Sequence, residues 1–131
     1  MKTATITFIT AVIICLTSCA VKNADETGMF FYKMLINNDI ETAVSLIDKE
    51  SLKHTPLEVW KEGLVQKQKR MGALLSYQRT KYYTDTIDNT TRVSICYEVK
   101  YSEGVMNEQL QFIYRDGKYY ITFYEFTEAT E

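Results

Sequence analysis

The stretch Thr91-Arg92-Val93-Ser94-Ile95-Cys96-Tyr97-Glu98-Val99-Lys100-Tyr101 decides the fold. Thr91, Val93, Ile95, Tyr97, Val99 and Tyr101 share one parity, while Arg92, Ser94, Cys96, Glu98 and Lys100 share the other. Side chains therefore alternate between an apolar face and a mostly polar one, which predicts a half-buried β-strand. Upstream, Ala73 to Thr84 reads as a first strand, with Leu75 and Tyr77 on one side and Ser76, Gln78 and Thr80 on the other. Asp85 to Asn89 supplies turn chemistry between the two. Downstream, Ser102-Glu103-Gly104 turns the chain into a third strand, where Met106, Leu110, Phe112 and Tyr114 share a parity with Glu108. Asp116-Gly117 is a hairpin signal, because both positions accept positive φ. Lys118 to Phe126 forms the fourth strand, and the acidic tail 128–131 is expected to fray. Strands of this length twist, so four in succession should curve around whatever covers their apolar face.

The residues before the strands supply that cover. Asn23 with Glu26 suggests a capping box, followed by Phe30, Phe31, Met34 and Leu35 at helical spacing, so a first helix is expected from Ala24 to Asn37. Asn38 with Glu41 repeats the cap, and Ile40, Ala43, Val44 and Ile47 give one apolar face over a second helix to Asp48. Thr55-Pro56-Leu57-Glu58 predicts a third helix, with Thr55 as cap and Pro56 at the first helical position. Leu57, Trp60 and Leu64 are its apolar stripe, and Lys61, Glu62, Lys67, Lys69 and Arg70 its wet side, ended by Gly72. The basic run 67–70 opposes the helix dipole at its last turn, and this accounts for it better than contact with anionic lipid. Three helices followed by four meandering strands is an α+β order, with the helices in the concave face of a curved four-stranded antiparallel sheet.

A net charge of −2 over 131 residues gives no field that would draw in nucleic acid. At the N-terminus, Met1-Lys2 precedes an uncharged, largely apolar run from Thr3 to Leu16. It is too short for a membrane span, which needs ~20 apolar residues, and reads as a secretion signal. The run ends in Leu16-Thr17-Ser18-Cys19, which resembles the lipobox of bacterial lipoproteins. That resemblance implies a signal peptide over 1–18, lipid attached to Cys19, a short tether over 19–23 and a single domain over 24–127. It places the protein in the bacterial cell envelope at the outer membrane, held there through its lipid. Cys15 leaves with the signal and Cys96 has no partner, so neither a disulfide framework nor a metal-type cysteine spacing is present.

The layout also resembles the cystatin-like, nuclear transport factor 2-like cone, and more narrowly the small bacterial envelope lipoproteins of unknown function with that fold. The resemblance rests on the Thr55-Pro56 helix start, Trp60, the break at Gly72 into Leu74-Leu75-Ser76-Tyr77, and the closing Asp116-Gly117-Lys118-Tyr119-Tyr120-Ile121. Tyr119 stands where such proteins often have Trp. Such a cone can hold a small apolar ligand in its hollow, with Phe31, Trp60, Tyr77 and Tyr97 as its lining. In the ketosteroid isomerase-like branch the hollow is catalytic, and Glu108, the one acid on the inward parity of the third strand, is the candidate base. Its place near the strand's start suggests a solvated rim position.

The fourth strand reads as apolar on both faces: Tyr119, Ile121 and Phe123 on one, Tyr120, Tyr124 and Phe126 on the other. No element remains to cover the second set, so Tyr120, Tyr124 and Phe126 form a candidate interface for a second copy or an envelope protein. His54 is the only histidine and has no cysteine or second histidine beside it for a metal site. No phosphate loop or nucleophile elbow is present, so no cofactor is expected. The expectation is a membrane-anchored, non-catalytic binding module, with a ketosteroid isomerase-like enzyme and an inhibitor or immunity lipoprotein as rivals.

Overall fold

The computed structural model describes the backbone of residues 2–129 and the side chains of residues 19–129. Four strands, β1 (Leu74–Ile87), β2 (Thr90–Tyr101), β3 (Gly104–Arg115) and β4 (Lys118–Glu128), form one antiparallel sheet in the order β1-β2-β3-β4. Val93, Ile95, Tyr97, Val99 and Tyr101 of β2 are all buried, as are Met106, Glu108, Leu110 and Phe112 of β3. The parity read from these two strands is therefore the parity of the fold. The β1–β2 turn is narrower than expected, because only Asp88 and Asn89 take positive φ and β1 continues to Ile87. Part of the acidic tail, residues 130–131, falls outside the described residues; β4 itself continues to Glu128.

Three helices lie in the hollow: α1 (Lys2–Ile36), α2 (Ile40–Val44) and α3 (Leu57–Met71), with a single 3-10 turn at Ser51–Lys53. Among the described residues no helix is long and apolar enough to cross a membrane. α1 runs through residues 19–23, which the sequence suggested as a free tether. Val21 and Ala24 explain this, since both are buried and turn one face of the helix to the sheet before the expected start. At the far end Asn38 takes φ 58°, and Asp39 caps α2 in its place, accepting from the Thr42 backbone N–H at 3.1 Å. α2 stops at Val44 because Leu46–Asp48 turns to the edge of the sheet. There the Ile121 N–H donates to the Leu46 carbonyl (2.9 Å) and the Asp48 N–H to the Ile121 carbonyl (2.8 Å). Pro56 is the cap residue of α3, with extended ψ, so Thr55 lies one place outside the cap and makes no capping bond.

β4 departs from simple alternation. Gln111 pairs with Phe123 and Phe112 with Ile121, which leaves Thr122 as an extra residue whose hydroxyl donates to the Gln111 carbonyl at 3.3 Å. A bulge of this kind moves every later side chain to the opposite face. Tyr124 and Phe126, placed outside by simple alternation, therefore join Ile121 on the concave side, and Phe123 turns outward.

Gly28 brings α1 against Tyr97 and Phe112, and a Cβ there would collide with the Tyr97 hydroxyl. Gly28→Ala is expected to lower stability by about 1–3 kcal/mol, as overpacking of a filled site does. Urea denaturation checks this; an unchanged midpoint would show that the helix can stand off from the sheet.

Candidate functional site

The hollow of the sheet is filled, and Glu108 stands at its centre. Its side chain is fully buried, so the rim position suggested by the sequence is not what the fold gives. Oε1 accepts from the hydroxyls of Tyr32 (3.0 Å) and Tyr124, and Oε2 from the Tyr101 hydroxyl (2.6 Å) and the Lys67 ammonium (3.0 Å). Lys67 is 4% exposed and lies 4.4 Å from the Tyr124 ring centre, with Tyr101 and Phe126 at 5.2 and 5.0 Å. Four donors on one carboxylate compensate its burial, and the rings around the ammonium compensate that of Lys67.

Each partner has a readable origin. Tyr101 and Glu108 come from the inward parities of β2 and β3, and Tyr124 reaches the cluster because of the Thr122 bulge. Lys67, expected on the wet side of α3, lies in one helical stripe with Leu57, Trp60, Leu64 and Met71. The spacing carries that signal and the charge masks it. Tyr32 follows Phe31 on α1, outside the apolar spacing of Phe30, Phe31, Met34 and Leu35.

The environment shifts the protonation of these groups. Burial, then the Glu108 charge, raises the Tyr32 and Tyr101 hydroxyls well above the ordinary tyrosine value. Tyr97 is raised in the same way, by burial and then by its 2.7 Å bond to Asp25, which Arg79 also pairs at 3.3 Å. Burial lowers Lys67, and Glu108 opposes that shift.

Of the four residues expected to line a pocket, Phe31, Tyr77 and Tyr97 surround Tyr32, with ring centres 5.4, 5.2 and 5.0 Å from it. They form packed core. Trp60 stands apart, in a groove of about 260 Å³ between α3 and β4 lined by Thr55, Val59, Gly63, Phe123, Tyr124 and Phe126 among others. Its indole Nε1 is buried and, among the described residues, has no acceptor. A separate void beside Lys67 and Tyr101 measures about 20 Å³, room for a single water.

Of the expected interface trio, only Tyr120 remains on the outer face; Tyr124 and Phe126 line the groove and the Glu108 cluster. Cys96 opens on a polar outer groove with Thr80, Asn107, Gln109 and Glu125. His54 shares a polar hollow with Asp48, Arg92 and Arg115, where Arg115 pairs Asp48 at 2.8 Å. Among the described residues no group of three or more His, Cys, Asp or Glu could hold a metal ion. Cys19 is exposed on α1.

No protein-family model matches the sequence, and no curated protein matches it. Solved structures do resemble it. A Campylobacter jejuni protein described as a putative NTF2-like transpeptidase aligns with a TM-score of 0.55 at 18% identity, over 76% of this chain and 96% of that one. A Novosphingobium aromaticivorans protein described as a putative scytalone dehydratase aligns with a TM-score of 0.55 at 11% identity, over 87% of each chain. At these identities the likeness carries the fold alone, and the fold is the nuclear transport factor 2-like α+β cone.

Proposed function

We propose that the protein is a non-catalytic binding module of the bacterial cell envelope, anchored to the outer membrane through a lipid on Cys19, and that it binds through the groove between α3 and β4. The single observation that carries the binding site is an apolar groove of about 260 Å³ with Val59, Trp60, Phe123, Tyr124 and Phe126 among its lining residues. A concave site walled by aromatic and aliphatic side chains is where a ligand buries apolar surface. The anchor is supported by Leu16-Thr17-Ser18-Cys19 and by the exposure of Cys19.

The likeness to a protein described as a dehydratase raises the enzyme reading, with Glu108 as its base. A general base needs a free lone pair within reach of the substrate. Glu108 spends both oxygens on four internal donors and is closed off by Lys67 and three Tyr rings, which favours a structural part for it.

The test has two arms on the full chain expressed in a bacterium. Labelled palmitate is expected to attach to the protein and to be lost in Cys19→Ser, which moves to the soluble fraction. A photo-crosslinking residue at Val59, on the α3 side of the groove, is expected to capture a partner that the same residue at Cys96, on the outer face, does not. Label on Cys19→Ser would remove the anchor, and equal capture from both positions would remove the groove.

A further inference from the structure

We infer that the groove takes an extended, apolar peptide segment of a partner protein, which adds a short strand to the free edge of β4. This rests on the reading that the α3–β4 groove is the binding site, and it names the occupant.

β4 is an edge strand, and the protein already uses its edge once. At Ile121 both backbone groups are taken by Leu46 and Asp48, in a parallel bridge. Beyond that bridge, among the described residues, no backbone group outside the sheet pairs with Phe123 to Thr127. Thr55 and Thr122 line the groove near the bridge, and the ion pair of Arg70 with Glu128 joins α3 to β4 beyond Phe126. The free length of about five residues spans roughly 16 Å.

The opposite edge is managed differently. β1 carries bulges at its Leu74/Ser76 and Arg79/Lys81 steps and presents Arg79 and Lys81, devices that discourage strand addition. From Phe123 to Thr127, β4 has one charged side chain, Glu125, and its Phe123 and Phe126 stand 43% and 40% exposed beside Val59 at 53%.

Two unmet demands thus meet in one place: unpaired strand backbone and an apolar trough. An extended peptide answers both, with backbone pairing for the edge and a side chain for the trough. A small apolar molecule answers only the second. Gly63 leaves the trough open on the helix side, because a Cβ there meets no atom within 4 Å.

The test uses the full chain in mild detergent. A random hexapeptide phage library is panned on it, with Gly63→Leu as counter-selection; that variant fills the trough, and its circular dichroism and melting serve as the folding check. Trp60 is the one Trp of the sequence, so its indole N–H gives one NMR signal to follow. Recovered peptides are expected to shift that signal, as a side chain packs beside the indole ring, and to lose about tenfold or more in affinity for Gly63→Leu. They should lose as much when N-methylated at alternate residues in one of the two registers, since pairing donors are then removed while side chains stay.

Equal binding of both N-methylated registers, or no enrichment over Gly63→Leu, overturns the strand. Cyclohexanone, an apolar ring with one carbonyl, separates the two readings. A shift of the indole signal by cyclohexanone alone keeps the groove as a binding site and rejects the peptide. A signal unmoved by peptides and by cyclohexanone rejects both.

Discussion

Glu108→Ala is expected to lower the free energy of unfolding by about 3–5 kcal/mol, because it leaves the Lys67 ammonium buried without its counter-charge and three Tyr hydroxyls without their acceptor. Lys67→Met should cost less. The carboxylate it leaves behind still accepts from three hydroxyls, and a buried charge that keeps its hydrogen bonds is less penalised than a bare one. Lys67→Met combined with Glu108→Gln removes both charges and keeps an acceptor for the hydroxyls, so it should recover much of the loss. Urea denaturation of the wild type, Lys67→Met, Glu108→Gln and the double variant completes a double-mutant cycle, and the two sites are expected to couple by about 2–3 kcal/mol. Additive losses, or a Glu108→Ala effect under about 1 kcal/mol, would mean that the cluster admits water and that Glu108 is free for chemistry.

Above pH ~10 the protein should lose stability at about 4 kcal/mol per pH unit. Tyr32, Tyr97 and Tyr101 keep their protons in the folded state beyond the point where unfolded tyrosine, with a pKa of ~10, releases them. In that range the unfolded state binds fewer protons, so stability falls as pH rises, by about 1.4 kcal/mol per unit for each of the three. Lys67 has the opposite sign. Its folded pKa is lowered, so its contribution rises with pH until the unfolded lysine value of ~10.4 and is flat above it. It therefore cannot offset the tyrosines. Tyr32, Tyr97 and Tyr101 should ionise, by tyrosinate absorbance, only together with unfolding by circular dichroism. Their ionisation in a protein that stays folded would contradict the burial of the cluster.

Much of the architecture was legible because β2 and β3 alternate without interruption, and alternation is the signal that names a half-buried strand. The inward position of Glu108 followed from it. β4 failed the same reading at one residue. Thr122 has nothing in its chemistry to mark a bulge, and yet it inverts the faces of Tyr124 and Phe126, which leave the outer face for the concave side, Tyr124 on the Glu108 cluster and Phe126 half-exposed in the groove. Lys67 failed for the reverse reason: its helical position was inward, but a lysine is read as wet unless its counter-charge is known. That counter-charge lies 41 residues away on β3, and periodicity within one element cannot supply it. Trp60, expected beside Phe31, Tyr77 and Tyr97, stands apart from them, since which aromatic residues fill the hollow and which stand at its side depends on how far α3 sits from β4.

Val21 and Ala24 are core residues, and Cys19 stands two positions before the first of them. Whatever is joined to Cys19 is thus joined to α1 with no slack. A pull or a tilt applied there would travel along the helix to Tyr32 and the Glu108 cluster, so the domain would stand on its attachment like a post and not swing from it like a float.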